Sequence, residues 1–161
     1  MKHLSKILIV IILTFFIIPC NIKADNIKAY TKLVSSNNQV FYGKWLIKKV
    51  AASSRITEYG DKDIKKILGR TITYHKDKIV YGKHILNDPR YEITKVSETD
   101  FFYGGYVELS KLGIKKKWVK EVDVSTHSGK TWYAFGDLFF IKNKNTLILD
   151  YGGIFFELIR K

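Results

Sequence analysis

From Phe41 onward the character of the chain changes at every second residue. Phe41, Gly43, Trp45 and Ile47 alternate with Tyr42, Lys44, Leu46 and Lys48. Successive side chains of a strand point to opposite faces, so a period of two carried by aromatic and β-branched residues predicts a half-buried β-strand. The pattern recurs. Ile72 and Tyr74 alternate with Thr71 and Thr73, Ile79 and Tyr81 with Val80 and Gly82, and Tyr91, Ile93 and Lys95 with Glu92, Thr94 and Val96. Residues 118–125, 131–141, 146–150 and 154–160 read as four further strands. Short links such as His127-Ser128-Gly129 and Tyr151-Gly152-Gly153 favour antiparallel neighbours.

The period changes once to that of a helix. Ile64, Ile67 and Leu68 share one helical face, Asp61 is placed to cap the N-terminus, and Gly69 supplies the stop, which predicts a helix over 61–68. Residues 97–113 read as a loop with short helical pieces, opened by a capping-type sequence, Ser97-Glu98-Thr99-Asp100. Eight strands with one short helix between the first two predict a mainly β fold. The expected architecture is an eight-stranded antiparallel up-and-down barrel, because closure removes exposed strand edges. A two-sheet sandwich is the alternative.

The N-terminus is of another kind. Lys2 and Lys6 precede an apolar run from Ile7 to Ile18, which Pro19 ends. A dozen residues make a helix of roughly 18 Å, short of the roughly 30 Å of a bilayer core, and fit a signal-peptide core. Residues 1–24 are therefore expected to be removed after Ala24, leaving 25–38 as a flexible N-terminal arm and 39–161 as the folded domain. The competing reading is a lipoprotein anchored at Cys20. Either way the chain is expected to be exported, secreted or held at the cell surface. Cys20 is the only cysteine, so the mature chain has no internal disulfide and no thiolate site.

The net charge is +13, and loss of Lys2, Lys6 and Lys23 with the leader takes it to +10. Such an excess permits an anionic partner. The lysines are scattered along the sequence, however, and Lys115-Lys116-Lys117 is their single run, so nucleic acid is not the expected partner.

Gly43-Lys44-Trp45 at the head of the first strand resembles the G-x-W motif of the lipocalins and the wider calycin group. In that group the tryptophan closes one end of an eight-stranded barrel and a basic residue late in the last strand packs across it. Arg160 stands where that residue belongs, so the resemblance implies barrel closure by Gly43, Trp45 and Arg160. An arginine over an indole face is physically favourable. The helix at 61–68 falls where such proteins carry a lid. The T-D-Y motif of that family is missing, and 97–113 is long for a simple barrel link.

Two functions follow. If the barrel is hollow, its inward faces, including Trp45, Ile72, Ile79, Ile93 and either Trp132 or Tyr133, would line a pocket for a small apolar or amphipathic ligand, with Tyr74, Tyr81, Tyr91 and Tyr133 as its phenolic handles. If side chains fill it, the barrel is a scaffold. Function then belongs to loops 52–60 and 97–113, where Phe101, Phe102, Tyr103 and Tyr106 would meet an extracellular protein. His75, His84 and His127 have no metal-ligand spacing, and Glu121 and Asp123 read as a solvated pair. No nucleophile elbow or phosphate loop is present. A basic secreted hydrolase or nuclease is the third reading. The leading expectation is no enzyme, cofactor or metal, and a monomer with no membrane contact beyond a lipid at Cys20.

Overall fold

The computed structural model describes residues 32–33, 39–132 and 134–161. The leader at 1–24, Cys20, most of the 25–38 arm and Tyr133 lie outside the described residues. Among the described residues no helix is long and apolar enough to cross a membrane.

One antiparallel sheet makes the body. Its strands are β1 (Lys32–Leu33), β2 (Gly43–Ser53), β3 (Thr71–Tyr74), β4 (Lys78–Tyr81), β5 (His84–Asn87), β6 (Arg90–Ser97), β7 (Trp118–Ser125), β8 (Leu138–Asn143), β9 (Thr146–Tyr151) and β10 (Ile154–Arg160). In space they run β1-β6-β7-β8-β9-β10-β2-β3-β4-β5. Nine have four residues or more and β1 has two. β10 lies between β9 and β2, so the end of the chain is in the middle of the sheet.

The sheet curls into an open half-barrel, which corrects the expected closed barrel of eight strands. Among the described residues no ladder joins β5 to β6; the outer edge of β6 is taken by β1, with Lys32 opposite Ile93. Side chains bridge the seam instead. The Tyr91 hydroxyl donates to the His75 carbonyl at 2.7 Å, and the Tyr91 ring lies 5.0 Å from that of Phe41. The inner cluster includes Trp45, Ile47, Ile72, Tyr74, Ile79, Tyr91, Val122, Phe139 and Phe156. Phe41, Trp45, Tyr74 and Phe139 within it are wholly buried.

α1 (Asp61–Ile67) joins β2 to β3 and rests on the inner cluster through Ile64, Ile67 and Leu68. Its N-cap is Gly60, with no side-chain cap; Asp61 falls one place inside, where its charge favours the positive helix end. Residues 97–113 are better ordered than a loop. They hold α2 (Glu98–Gly105), which Ser97 caps by accepting the Asp100 N–H at 3.1 Å, and a 3₁₀ turn at Leu109–Leu112. There are thus two α-helices rather than one. The second, with the turn, covers the outer face of the sheet. Phe101, Val107, Leu109, Leu112 and Ile114 pack there on Val119, Phe140, Ile148 and Phe155. Two further corrections concern strands. Residues 131–141 form a strand only from Leu138, because Gly136, at φ +102, turns the chain inward. His84–Asn87, not foreseen, adds an edge strand.

Candidate functional site

Four regions carry side chains that the fold alone does not account for, or that the sequence singled out. The first is the Trp45 end. The Arg160 guanidinium lies over the Trp45 ring, 4.2 Å from its centroid, and the indole N–H donates to the Phe41 carbonyl at 2.8 Å. Arg160 also donates to the carbonyls of Tyr42 at 2.9 Å, Lys144 at 3.1 Å and Val40. Gly43 is required beside it for two reasons: its φ is +132, and a Cβ there would stand 2.7 Å from an Arg160 nitrogen. The three residues form a lock that ties both termini of the body together.

The second region is the interior. Tyr74 is wholly buried and its hydroxyl donates to the Gly136 carbonyl at 3.0 Å. Tyr91 is bonded to His75 as above, and burial pushes both phenols well up. The Tyr81 ring stacks on Phe135 with centroids 4.7 Å apart. Trp132 and Ile93 are half-buried against the same cluster. Each of these tyrosines therefore has a packing partner in the protein itself.

The third region is an acidic rim at the α1 end. A cleft of about 420 Å³ is lined by Glu58, Tyr59, Asp137, Asp150 and Tyr151, among others. The Tyr59 and Tyr151 rings stack there, 4.6 Å apart. Burial pushes the Asp150 carboxyl up to about 6, helped by the charges of Asp137 and Glu58 and opposed by the Gly153 N–H. Asp137, Asp123 and Glu121 are raised as well, each mainly by burial. Glu121 and Asp123 thus lie partly shielded among other carboxylates, and among the described residues neither has an ion-pair partner. This rim was not foreseen. The available signal was the sign of the charges: in a chain this basic, Asp137 and Asp150 both stand near glycine turns on adjacent strands. Among the described residues no three His, Asp or Glu side chains converge to hold a metal.

The fourth region is α2. Phe101 points into the outer cluster and is 4 % exposed, whereas Phe102, Tyr103 and Tyr106 are 41 %, 69 % and 64 % exposed. The expected aromatic group is therefore split into one anchor and three surface rings. A groove of about 370 Å³ runs beside them, lined by Glu98, Thr99, Phe102, Tyr103 and Glu108. Tyr106 ends the helix in the left-handed conformation, φ 52. The 52–60 loop meets this helix, the Ser54 hydroxyl donating to the Gly105 carbonyl at 2.8 Å, and it carries Ile56 at 86 % exposure. Gly105 permits the contact, since a Cβ would press within 2.8 Å of the Phe155 ring.

His127 pairs with Asp88 at 3.2 Å on the surface, and His75 offers its backbone carbonyl to Tyr91. No protein family, no curated protein and no solved structure matches this chain.

Proposed function

We propose that this protein is an exported interaction module: a filled β scaffold that presents the aromatic face of α2, with the adjoining 52–60 loop, to an extracellular protein. The observation that carries the reading is the split within α2. Phe101 with the 3₁₀ turn seats the segment on the sheet, which leaves Phe102, Tyr103 and Tyr106 outside the buried cluster, with Phe102 edge-on to both tyrosines at the surface. Exposed aromatic clusters on a rigid support are the usual anchors of protein interfaces. Tyr106 adds to this. A glycine would end the helix at less cost, because a bulky residue at φ 52 is strained. Its ring is kept at a place where the fold has no use for one.

Export rests on the 1–24 segment, and kinship with the lipocalins rests on Gly43, Trp45 and Arg160. The alternative function, a small apolar ligand held inside, has less support, because the interior tyrosines already bond to the chain itself.

The test is the variant carrying Phe102→Ser, Tyr103→Ser and Tyr106→Ser. Its thermal stability should stay within about 0.5 kcal/mol of wild type, as for surface changes generally. An extracellular protein cross-linked by the wild type should be lost from the variant. Equal loss of stability and binding would make these rings part of the core and end the proposal.

A further inference from the structure

Lysines that are scattered in the sequence converge at one corner of the fold. Lys95 on β6 stands directly opposite Lys120 on β7 in the antiparallel ladder. Like charges placed so repel each other. Alternation puts Lys120 on the same side of its strand as Val122 and Val124, and Lys95 on the same side as Tyr91 and Ile93. The pair therefore stands on the inner face, toward the end of the curl where Arg160 binds the carbonyls of Val40 and Lys144. Next to the pair, two residues before Lys120 on β7, stands Trp118, half-buried, with the Lys95 ammonium 4.4 Å and the Lys116 ammonium 5.0 Å from its ring centroid. Beside the indole is a cleft of about 240 Å³. Its apolar wall is Val40, Ile114 and Ile141, and its cationic rim is Lys116, Lys120, Lys142 and Lys144.

Among the described residues, none of Lys95, Lys116, Lys120 and Lys144 has a carboxylate within ion-pair distance. The nearby acids pair with other lysines: Glu98 with Lys117 at 2.6 Å, and Glu157 with Lys142 of the cleft rim at 3.2 Å and with Lys49 at 3.7 Å. The protein thus sets two ammonium groups over one indole and two more beside the adjoining cleft, and of the cleft's lysines only Lys142 is given a counter-charge, by Glu157.

We infer that this cleft binds a phosphate-bearing ligand. The phosphate sits among Lys116, Lys120 and Lys144, with Lys95 adding its charge from over the Trp118 ring, and the carbon part of the ligand lies on Val40 and Ile141. Lysine suits this role because it acts on phosphate as a point charge and can approach from several sides. With lysines over the Trp118 ring, base stacking on it is disfavoured, which argues against a single-stranded nucleic acid. The phosphate has two sources, a soluble phosphate ester or the headgroup of an anionic lipid.

Tryptophan emission reports on the site, and a Trp118→Phe variant identifies its share against Trp45 and Trp132. Pyrophosphate should give a saturable change in the Trp118 signal that weakens as sodium chloride is raised. Vesicles of phosphatidylglycerol, but not phosphatidylcholine, binding in competition with pyrophosphate would assign the lipid source; pyrophosphate binding without vesicle binding would assign the soluble one. The double variant Lys95→Gln, Lys120→Gln should bind at least ~10-fold more weakly and melt no lower than wild type, since it relieves a like-charge pair. The inference is overturned if neither probe changes the Trp118 signal, or if the double variant folds and binds as wild type does. Should it not fold, Lys116→Gln, Lys144→Gln applies the same criterion from outside the Lys95–Lys120 rung.

Discussion

The two faces of the sheet are buried by different means. The inner face is enclosed by the curl of the strands, and it uses hydroxyls: Tyr74 and Tyr91 each donate to a backbone carbonyl across the interior. The outer face is covered by an insertion, α2 with its 3₁₀ turn, and the buried residues of its cluster are purely hydrocarbon, from Phe101 to Phe155. Directional bonds specify one arrangement, whereas apolar contact alone allows a cover to lift and settle again. The inner face therefore fixes the shape, and the outer cover, tied to the 52–60 loop by the Ser54–Gly105 bond, carries the exposed aromatics and is expected to detach first under stress.

The largest effect separates the two. Trp45→Ala removes a wholly buried indole and the seat of Arg160, and should cost about 3–5 kcal/mol with global loss of structure in a denaturant titration. Phe101→Ala should cost about 3 kcal/mol. Hydrogen exchange should then show α2 opening while β2 and β10 stay protected. If both variants melt in one global step, the platform is not detachable and the comparison fails.

The next effect comes from the uncovered part of the outer face. By alternation Glu121, Asp123 and Asp150 share the side of Val119 and Ile148, beyond the reach of α2. Asp150 has a carboxyl raised from 3.8 to about 6, chiefly by burial. The folded state therefore binds this proton more tightly than the unfolded chain. The stability it contributes is complete below 3.8 and is lost as pH rises through about 6. At pH 7 Asp150→Asn should stabilise by about 1–2 kcal/mol after allowance for solvent screening, and should flatten stability against pH in that window. A variant no more stable at pH 7 would mean that Asp150 carries no burial penalty. The smallest effect probes the inner hydroxyls. Tyr74→Phe leaves the Gly136 carbonyl without its donor and should cost about 1 kcal/mol by thermal melting. No loss would erase the distinction between a directional and a slippery core.

Much of this was legible in the sequence, for local reasons. Alternation located β2, β3, β4, β6 and β7 and named inward residues correctly, from Trp45 to Tyr91, because side-chain direction in a strand follows sequence parity. α1 was found from Ile64 and Ile67. The split within α2 was missed, since it depends on the sheet having a second apolar face. That face was written in the runs Leu138-Phe139-Phe140-Ile141, Leu147-Ile148-Leu149 and Ile154-Phe155-Phe156. Continuous apolar runs of this kind mark strands covered on both sides. β5 could not be read, because His84, Ile85 and Asn87 are exposed on an edge and leave no pattern. Closure was misjudged because it turns on which chain takes the free edge of β6, a long-range choice. The lysine corner was hidden for the same reason, since Lys95, Lys120 and Lys144 meet only through strand register.

The place of β10 in the sheet has a consequence for how the molecule is made. Until the seven residues of this strand, Ile154–Arg160, are in place, β2–β5 and β6–β9 are separate antiparallel groups with no ladder between them among the described residues. Folding must wait for a contact between the two ends of the body, which makes it slow relative to a fold built from neighbours. A nascent chain on the ribosome would emerge as two unjoined pieces with the apolar edges of β2 and β9 uncovered. β10 is thus the keystone of the sheet, and a variant that cannot form it would be left with two unjoined groups of strands and exposed edges, an aggregation hazard rather than a slightly altered protein.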